Sequence, residues 1–367
     1  MFTQENLDEL LAFEPNDAEV ISLYINADPA ENTPEAIKLQ VRGLLKEAGQ
    51  NHTADVERIE QHFELVHDWR KPGVALFSCA ERDFFHAYQV AVPFRNRVRV
   101  GNKPYVKPLL HFTKYYGHYG VILIDKIGAR FFEFHLGELQ NTAGTMGEDV
   151  RKLKHGGGSS ATGMRGGQGT GRSEDETAQR NMREAAEAAT RFFKRRQIRR
   201  LFIGGTAENV ALFHEMLPKQ LQSCIAGTFA MDMDASEQEV KERSLQLLHE
   251  LNAERERKLV EQMLNGAASG GNAVTGLGPT LRMVCDGRVD TLIVSDGFRA
   301  PGYRHLTSGY LSASPDEELF GDNNFEEVAD VVNEAVDRTI EQGGHVEVIS
   351  ENPQLEGAGR IGALLRY

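Results

Sequence analysis

The sequence predicts a protein of α/β and α+β class with three domains. These are a mixed-sheet N-terminal α+β domain (1–116), a central α/β domain (117–235) and a C-terminal α/β/α sandwich (236–367). The first observation is length, because 367 residues exceed one ordinary domain. The second is a hydrophobic content of 40%, which is enough for packed cores. The third is the alternation of β-rich runs with helical patterns, which is typical of layered sheets and helices.

The first region is predicted to combine short strands with at least one amphipathic helix. Residues 20–26, 73–79 and 84–92 are rich in β-branched and aromatic residues and are predicted to be strands. Residues 34–48 have apolar positions at helical spacing and are predicted to form a helix.

The central region is predicted to place a glycine-rich segment between a hairpin and a long helix. Residues 119–139 contain two β-rich runs broken at Lys126–Gly128, which indicates a hairpin. Ser173, with Glu176 three residues later, is expected to start the helix as a capping box. The apolar positions that follow recur at helical spacing and should pack on the domain: Ala178, Met182, Ala185, Ala186, Ala189, Phe192 and Phe193. Further elements are predicted as strands at 199–205 and 224–233 and a helix at 207–218.

The third region is predicted to open on a long helix and to continue as alternating helices and strands. Ser236 and Glu239 form a second capping-box pattern, and the helix should reach about Leu264. Residues 270–279 and 307–324 are expected to be loops. The remaining elements are helices at 280–287 and 325–344 and strands at 289–297, 345–350 and 361–367.

Composition points to a cytoplasmic protein without a cofactor or a metal. Cys79, Cys224 and Cys285 lie far apart and suggest neither a disulfide framework nor a metal site. No apolar run approaches the ~20 residues that span a bilayer, so no membrane association is expected. The acidic N-terminus lacks the basic start and apolar core of a signal peptide.

Charge is distributed unevenly along the chain. The net charge is −13, yet residues 151–200 contain 13 Lys and Arg against 5 Asp and Glu, a local excess of +8. A basic segment on an acidic body can bind a phosphate backbone at one place while the body is repelled elsewhere. A solvated helix face is the alternative interpretation.

The glycine-rich segment "KLKHGGGSSATGMRGGQGTGR" (152–172) is the main candidate for a functional site. It lacks the Lys-Ser/Thr of a P-loop and the strand-to-turn setting of a dinucleotide fingerprint. The two glycines Gly166 and Gly167 allow a positive φ and a close backbone approach. Gln168 adds a backbone N–H and a neutral amide that can hold a water or an oxyanion. No Ser/His/Asp set lies nearby, so any catalysis would depend on positioning, as in hydrolysis of an activated ester; an idle flexible loop is the alternative.

Three ordered motifs carry a resemblance to a known family. Arg165-Gly166-Gly167-Gln168, after Lys154-His155-Gly156 and before a long basic helix, resembles the central domain of archaeal and eukaryotic class I peptide chain release factors. "GLGPTLRMVCDGRVDTLIVSDG" (276–297) and "EGAGRIGALLRY" (356–367) resemble their C-terminal domain, and "VISLYIN" (20–26) resembles their first strand. The chain is identified as a bacterial member of this superfamily, related to Pelota and Balon.

The resemblance implies a factor that enters the ribosomal A site. Gly166, Gly167 and Gln168 would then promote attack of water on the P-site peptidyl-tRNA ester. Contacts to large-subunit rRNA or tRNA are implied for seven residues: Lys152, Lys154, His155, Arg165, Arg172, Arg180 and Arg183. The C-terminal domain would present a surface for a translational GTPase, such as elongation factor Tu.

The family's stop-codon motifs are not intact in this sequence. Ala36-Ile37-Lys38-Leu39 stands where the family has Asn-Ile-Lys-Ser, and Phe77 and Asp83 replace the Tyr and Phe that flank the cysteine of the second motif. We therefore expect codon-independent release or rescue. A non-catalytic A-site factor in stalling or dormancy is the alternative, and an α/β protein that has left translation is a third interpretation.

Overall fold

The structure is a computed structural model that describes residues 2–16, 18–47, 52–147, 169–196, 198–315, 324–350 and 352–367. The chain divides into two compact units. The first comprises Met1–Gln89, Phe94–Phe112 and Asn252–Tyr367, and the second comprises Val90–Pro93 and Thr113–Leu251. The boundaries of the three expected domains remain a prediction.

The N-terminal part of the first unit is built on a four-stranded sheet of order β3-β2-β1-β4. Its elements are α1 (Gln4–Ala12), β1 (Val20–Asn26), α2 (Pro34–Glu47), α3 (Thr53–Leu65), β2 (Gly73–Cys79), β3 (Phe84–Val90) and β4 (Arg97–Gly101). The predicted strands and the helix α2 are confirmed. Strand β1 pairs antiparallel with both β2 and β4, where the sequence led us to expect a mixed sheet.

Helices α2 and α3 cover one face of this sheet. Ile37 and Val41 of α2 pack with Phe63 of α3 against Leu23 of β1. Trp69, the single tryptophan of the chain, packs at the edge of this core. The Lys38 ammonium lies 5.7 Å from the centroid of the Trp69 ring. Trp69 is thus a packing residue.

The second unit contains a five-stranded sheet of order β7-β6-β5-β8-β9. After α4 (Lys107–Tyr116), the elements are β5 (Tyr119–Ile124), β6 (Gly128–His135), β7 (Glu138–Met146), α5 (Gly169–Phe193), β8 (Arg200–Gly204), α6 (Ala207–Met216), α7 (Lys219–Gln222) and β9 (Ile225–Phe229). Strands β5, β6 and β7 pair antiparallel, whereas β5, β8 and β9 pair parallel. The predicted hairpin is confirmed, and it continues into a third strand, β7, that was not predicted.

The turn between β5 and β6 is fixed by one carboxylate. Asp125 Oδ1 accepts hydrogen bonds from the backbone N–H groups of Ile127, at 2.8 Å, and Gly128, at 2.7 Å. A Cβ at Gly128 would lie 2.1 Å from the carbonyl oxygen of Thr145 on β7. Glycine is therefore required here by the close approach of the neighbouring strand.

Helix α5 begins earlier than its capping-box pattern predicts. It starts at Gly169, so Ser173 lies inside the helix rather than at its N-cap. Six of the seven predicted apolar positions are buried, and Phe192 is half-buried. All of them except Ala178 pack in the core that contains Ile122 of β5 and Phe131 of β6. Because tertiary packing of this stripe stabilises the helix, it can extend past a local start signal.

The C-terminal part of the first unit is a three-layer sandwich around a sheet of order β10-β16-β11-β15. Its elements are α8 (Glu237–Ala268), whose residues up to Leu251 belong to the second unit, β10 (Ala273–Thr275), α9 (Leu277–Cys285), β11 (Val289–Ser295), β12 (Gly302–His305), β13 (Leu311–Ser312), β14 (Phe325–Val328), α10 (Val331–Glu341), β15 (His345–Ile349), α11 (Pro353–Gly357) and β16 (Ile361–Leu365). Leu292 and Val294 face α9 and α10, whereas Ile293 faces α8 and α11. The alternation along β11 thus gives the α/β/α layering that the sequence predicts for this region.

Local details of this region both confirm and correct the prediction. The capping box before α8 is confirmed, because Ser236 Oγ accepts from Glu239 N at 3.2 Å while Glu239 Oε2 accepts from Ser236 N at 2.7 Å. The predicted helix 325–344 is wrong at its start, since Phe325–Val328 pairs antiparallel with β12 and the helix begins after its N-cap, Asp330. The expected loops at 270–279 and 307–324 contain the short strands β10 and β13.

Candidate functional site

Seven of the ten predicted site residues lie outside the described residues: Gly166, Gly167, Gln168, Lys152, Lys154, His155 and Arg165. Their roles stay predictions. Arg172 lies in the first turn of α5, where the backbone alone is described. Arg180 and Arg183 are exposed on the same helix, as predicted.

The described residues on either side of 148–168 form a fixed frame. Gly147, directly after β7, donates its N–H to the carbonyl of Ile127 at 2.8 Å. Asn181 of α5 is only 3% exposed and donates to the carbonyl of Lys126 at 3.0 Å. A Cβ at Gly147 would lie 2.1 Å from Asn181 Oδ1. The end of β7, the β5–β6 turn and α5 are therefore packed directly on one another.

The exposed face of α5 carries both signs of charge. Exposed acids are Asp175, Glu176, Glu184 and Glu187, and exposed bases are Arg180, Arg183 and Arg191. The net charge of these seven side chains is −1. Arg191 also pairs with Glu187 at 3.8 Å, one helical turn away. The described helix therefore matches the alternative of a solvated mixed face, and the basic excess of 151–200 lies before and after it.

Two of the basic residues after α5 point inward and make structural contacts. Arg196 Nε lies 2.5 Å from Glu133 Oε2, and the guanidinium lies 3.9 Å from the centroid of the Phe192 ring. The side chain of Glu133 is 7% exposed. Arg200 donates to the carbonyl of Tyr115 at 2.7 Å. Their neighbours Lys194, Arg195 and Arg199 are exposed.

Two histidines stack beside this cluster. The rings of His118 and His135 lie 4.0 Å apart with an interplanar angle of 23°. His118 Nδ1 is 3.8 Å from Glu133 Oε1. Burial, and then the neighbouring His118, lower the pKa of His135. This pair was not predicted from the sequence. His118 directly precedes β5 and His135 is the last residue of β6, so only the antiparallel register of the two strands brings the rings together.

Neither a metal site nor a membrane-spanning helix is present among the described residues. Among the described residues, no three His, Cys, Asp or Glu side chains gather in an arrangement that could hold a metal ion. No helix in the described part of the chain is long and apolar enough to cross a membrane. The three cysteines are free thiols, and only Cys79 is fully buried.

Residues 104–248 match the model of the bacterial archaeo-eukaryotic release factor family 10. Residues 104–248 are thus similar to bacterial relatives of the archaeal and eukaryotic release factors. The matched range contains the Gly-Gly-Gln tripeptide and all ten predicted site residues. The resemblance of the central segment, which the sequence motifs indicated, is thereby confirmed.

Solved structures of low identity align over most of the chain. The archaeal translation termination factor aRF1 is 14% identical over 99% of this chain and 97% of that chain, with a TM-score of 0.28. Archaeoglobus fulgidus Pelota is 15% identical over 80% of this chain and 79% of that chain, with a TM-score of 0.37. S. cerevisiae Dom34 is 11% identical over 81% and 86%, with a TM-score of 0.39. No curated protein matches the chain.

Proposed function

We propose that this protein is a ribosomal A-site factor that hydrolyses the peptidyl-tRNA ester without reading a codon. The observation that carries the proposal is the family match over 104–248, which encloses an intact Gly166-Gly167-Gln168. The large-subunit rRNA and the P-site peptidyl-tRNA are the proposed partners, and the cytoplasm is the proposed location.

In the proposed mechanism the protein supplies positioning rather than a nucleophile. The glycines bring the backbone close to the ester, and the Gln168 amide holds the attacking water or the developing oxyanion. The frame formed by Gly147, Asn181 and the β5–β6 turn supports this role, because it packs the end of β7 before the segment against helix α5 after it.

The basic residues of the segment have a separate, electrostatic role in this proposal. Lys152, Lys154, His155, Arg165 and Arg172 would contact RNA phosphates and set the register of the loop. Arg180 and Arg183 are exposed and would add weaker contacts, because acids of α5 share their face. A translational GTPase, such as elongation factor Tu, is the proposed delivery partner.

The test is release of labelled peptide from ribosomes with peptidyl-tRNA in the P site. The A site would be empty or would hold a stop or a sense codon. Wild type is expected to release peptide in each case, and Gly167→Ala and Gln168→Ala are expected to lower the rate by about 10²-fold or more. Gln179→Ala is the matched control, because Gln179 is an exposed neutral residue on α5 beside Arg180.

Each other outcome points to a different function. Release on stop codons alone would contradict codon independence. Ribosome binding without release, equal in wild type and Gln168→Ala, would leave a non-catalytic factor in stalling or dormancy. Absence of any ribosome binding would remove the protein from translation.

A further inference from the structure

The exposed cations after α5 are not among the predicted site residues. We define the α5-end patch as Lys194, Arg195, Arg199 and His118. The backbone N–H of Arg199 donates to the carbonyl of His118 at 3.1 Å, so these two residues are adjacent. The side chain of His118 is 42% exposed.

Two acids of the same region, Glu133 and Glu187, are already paired. Glu133 is held by Arg196 at 2.5 Å and by the Asn141 amide at 2.7 Å. Glu187 pairs with Arg191. Within the described part of the chain, no ion pair joins Lys194, Arg195 or Arg199 to a carboxylate. The patch therefore presents unneutralised positive charge on a protein whose net charge is −13.

The helix dipole explains only part of this charge. Lys194 and Arg195 directly follow Phe193, where cations stabilise the C-terminal end of α5. Arg199 lies six residues beyond that end, and the dipole effect fades within the last turn. Meanwhile Arg196 and Arg200, which flank Arg199 in the sequence, are anchored by contacts to Glu133 and to the carbonyl of Tyr115.

We propose that the α5-end patch binds the phosphate backbone of single-stranded or looped RNA, with one base stacked on His118. The three cations supply phosphate contacts, and the His118 ring, backed by His135 at 4.0 Å, offers a flat surface of the kind on which unpaired bases stack. A lipid surface fits less well, because the patch has no apolar anchor. The large apolar side chains that are exposed among the described residues are Leu39, Leu65, Val66, Met146, Leu306 and Tyr367, and none belongs to it.

The inference does not depend on peptide release. A protein with an inactive Gly-Gly-Gln tripeptide could still bind RNA here, and an active one could lack this contact. A binding measurement on free RNA therefore tests the patch, whereas the release assay tests the tripeptide.

The experiment is equilibrium binding of a fluorescent single-stranded RNA to the full chain over a range of salt concentrations. Replacing Lys194, Arg195 and Arg199 together by Ala should weaken binding. It should also reduce the slope of log K against log salt by about 2, since each phosphate contact contributes about 0.7 on a single strand. The matched control replaces three exposed cations elsewhere, Lys219, Lys258 and Arg282, by Ala. The control should keep the wild-type slope.

His118→Ala separates stacking from charge. It should lower the affinity about tenfold while leaving the salt slope unchanged. All substituted residues are at least partly exposed, and far-ultraviolet circular dichroism of each variant checks that the fold is kept. An equal slope for the triple variant and wild type would overturn the proposal. The proposal would also be overturned if the control variant lost as much RNA affinity as the triple variant. Binding of the protein to anionic lipid vesicles, with no binding to RNA, would overturn it as well.

Discussion

Arg97 and Asp296 form a bidentate ion pair, with both nitrogen–oxygen distances at 2.6 Å. Their side chains are 10% and 11% exposed. Arg97 lies at the start of β4 and Asp296 directly follows β11, so the pair joins the N-terminal and C-terminal parts of the first unit. His111 Nδ1, 3.0 Å from the carbonyl of Val348, adds a second contact between the same two parts.

We expect Arg97→Ala to destabilise the first unit by about 3–5 kcal/mol, because it leaves the largely buried Asp296 carboxylate with only the more distant Arg95, at 3.9 Å, as an ion-pair partner. Burial would raise the pKa of Asp296, but the hydrogen bonds and charge of Arg97 outweigh burial and hold this pKa below its usual value. A depressed carboxyl pKa contributes stability above the unfolded-state pKa. This contribution is lost as pH falls through the folded-state pKa. Chemical denaturation at neutral and at acidic pH measures both effects.

The control for this pair is Arg42→Ala. Arg42 pairs with Glu64 at 3.5 Å, and both side chains are about half exposed, at 52% and 50%. Its loss should lower the free energy of unfolding by less than about 1 kcal/mol. Equal effects of Arg42→Ala and Arg97→Ala would contradict the assignment of Arg97–Asp296 as a principal link within the first unit.

Lys107→Met should stabilise the protein at neutral pH. Lys107 is 2% exposed, and its ammonium has no hydrogen-bond partner among the described residues. Burial lowers the pKa of Lys107 to about 8, with Asp330 and Asp337 opposing the shift and Arg99 and Arg299 adding to it. The folded state therefore disfavours the charged amine, and the gain on removing it should be on the order of 2–3 kcal/mol at pH 7.

The pH dependence of the free energy of unfolding tests whether burial of the Lys107 ammonium destabilises the wild-type protein. Between the folded-state pKa of about 8 and the unfolded-state value of 10.5, the unfolded chain binds more protons, so wild-type stability rises with pH across this range. The difference between Lys107→Met and wild type should accordingly shrink from pH 7 to pH 10. A variant that is less stable than wild type at pH 7 would mean that the ammonium is needed to offset Asp337, whose pKa burial raises to about 7.

Gly147→Ala should disturb the frame beside the glycine-rich segment. The new methyl would lie 2.1 Å from Asn181 Oδ1, so α5 or the end of β7 must move. We expect a loss of about 1–3 kcal/mol in the free energy of unfolding. Because the clash is with one side chain, Asn181→Ala should relieve part of it, and the double variant should lose less than the sum of the two single losses.

Gly43→Ala is the matched glycine control. Gly43 lies within α2, and a Cβ there would meet nothing within 4 Å. Gly43→Ala should stabilise the protein by about 0.5–1 kcal/mol through helix propensity.

For the Gly147→Ala/Asn181→Ala double variant, a loss of stability equal to the sum of the two single losses would contradict the predicted clash between the two residues.

The sequence was most informative where one local signal determined one element. The strand VISLYIN, the turn at Lys126–Gly128 and the Ser236–Glu239 capping box were each encoded within a few neighbouring residues, and each is present. The sequence was least informative where pairing with a segment far away in the chain determines the secondary structure. Phe325–Val328 has helical spacing with the residues after it, yet pairing with β12 makes it a strand.

The same limit applies to the candidate site. The basic excess of 151–200 was visible in the sequence, but its division into inward and exposed side chains was not. Arg196 and Arg199 are three residues apart and chemically alike. Arg196 points inward because Glu133 on β6 lies within ion-pair distance of it. The His118–His135 stack likewise needed the register of two paired strands.

The position of Trp69 determines what intrinsic fluorescence can report. Trp69 is the only tryptophan in the chain and packs at the edge of the core under α2 and α3, so its emission reports on the folding of the first unit. The second unit, whose sequence includes Gly-Gly-Gln, has no tryptophan and does not contribute to this emission. Emission and far-ultraviolet circular dichroism would coincide during a melt only if both units unfold together. A dichroism change without an emission change would register loss of the second unit alone.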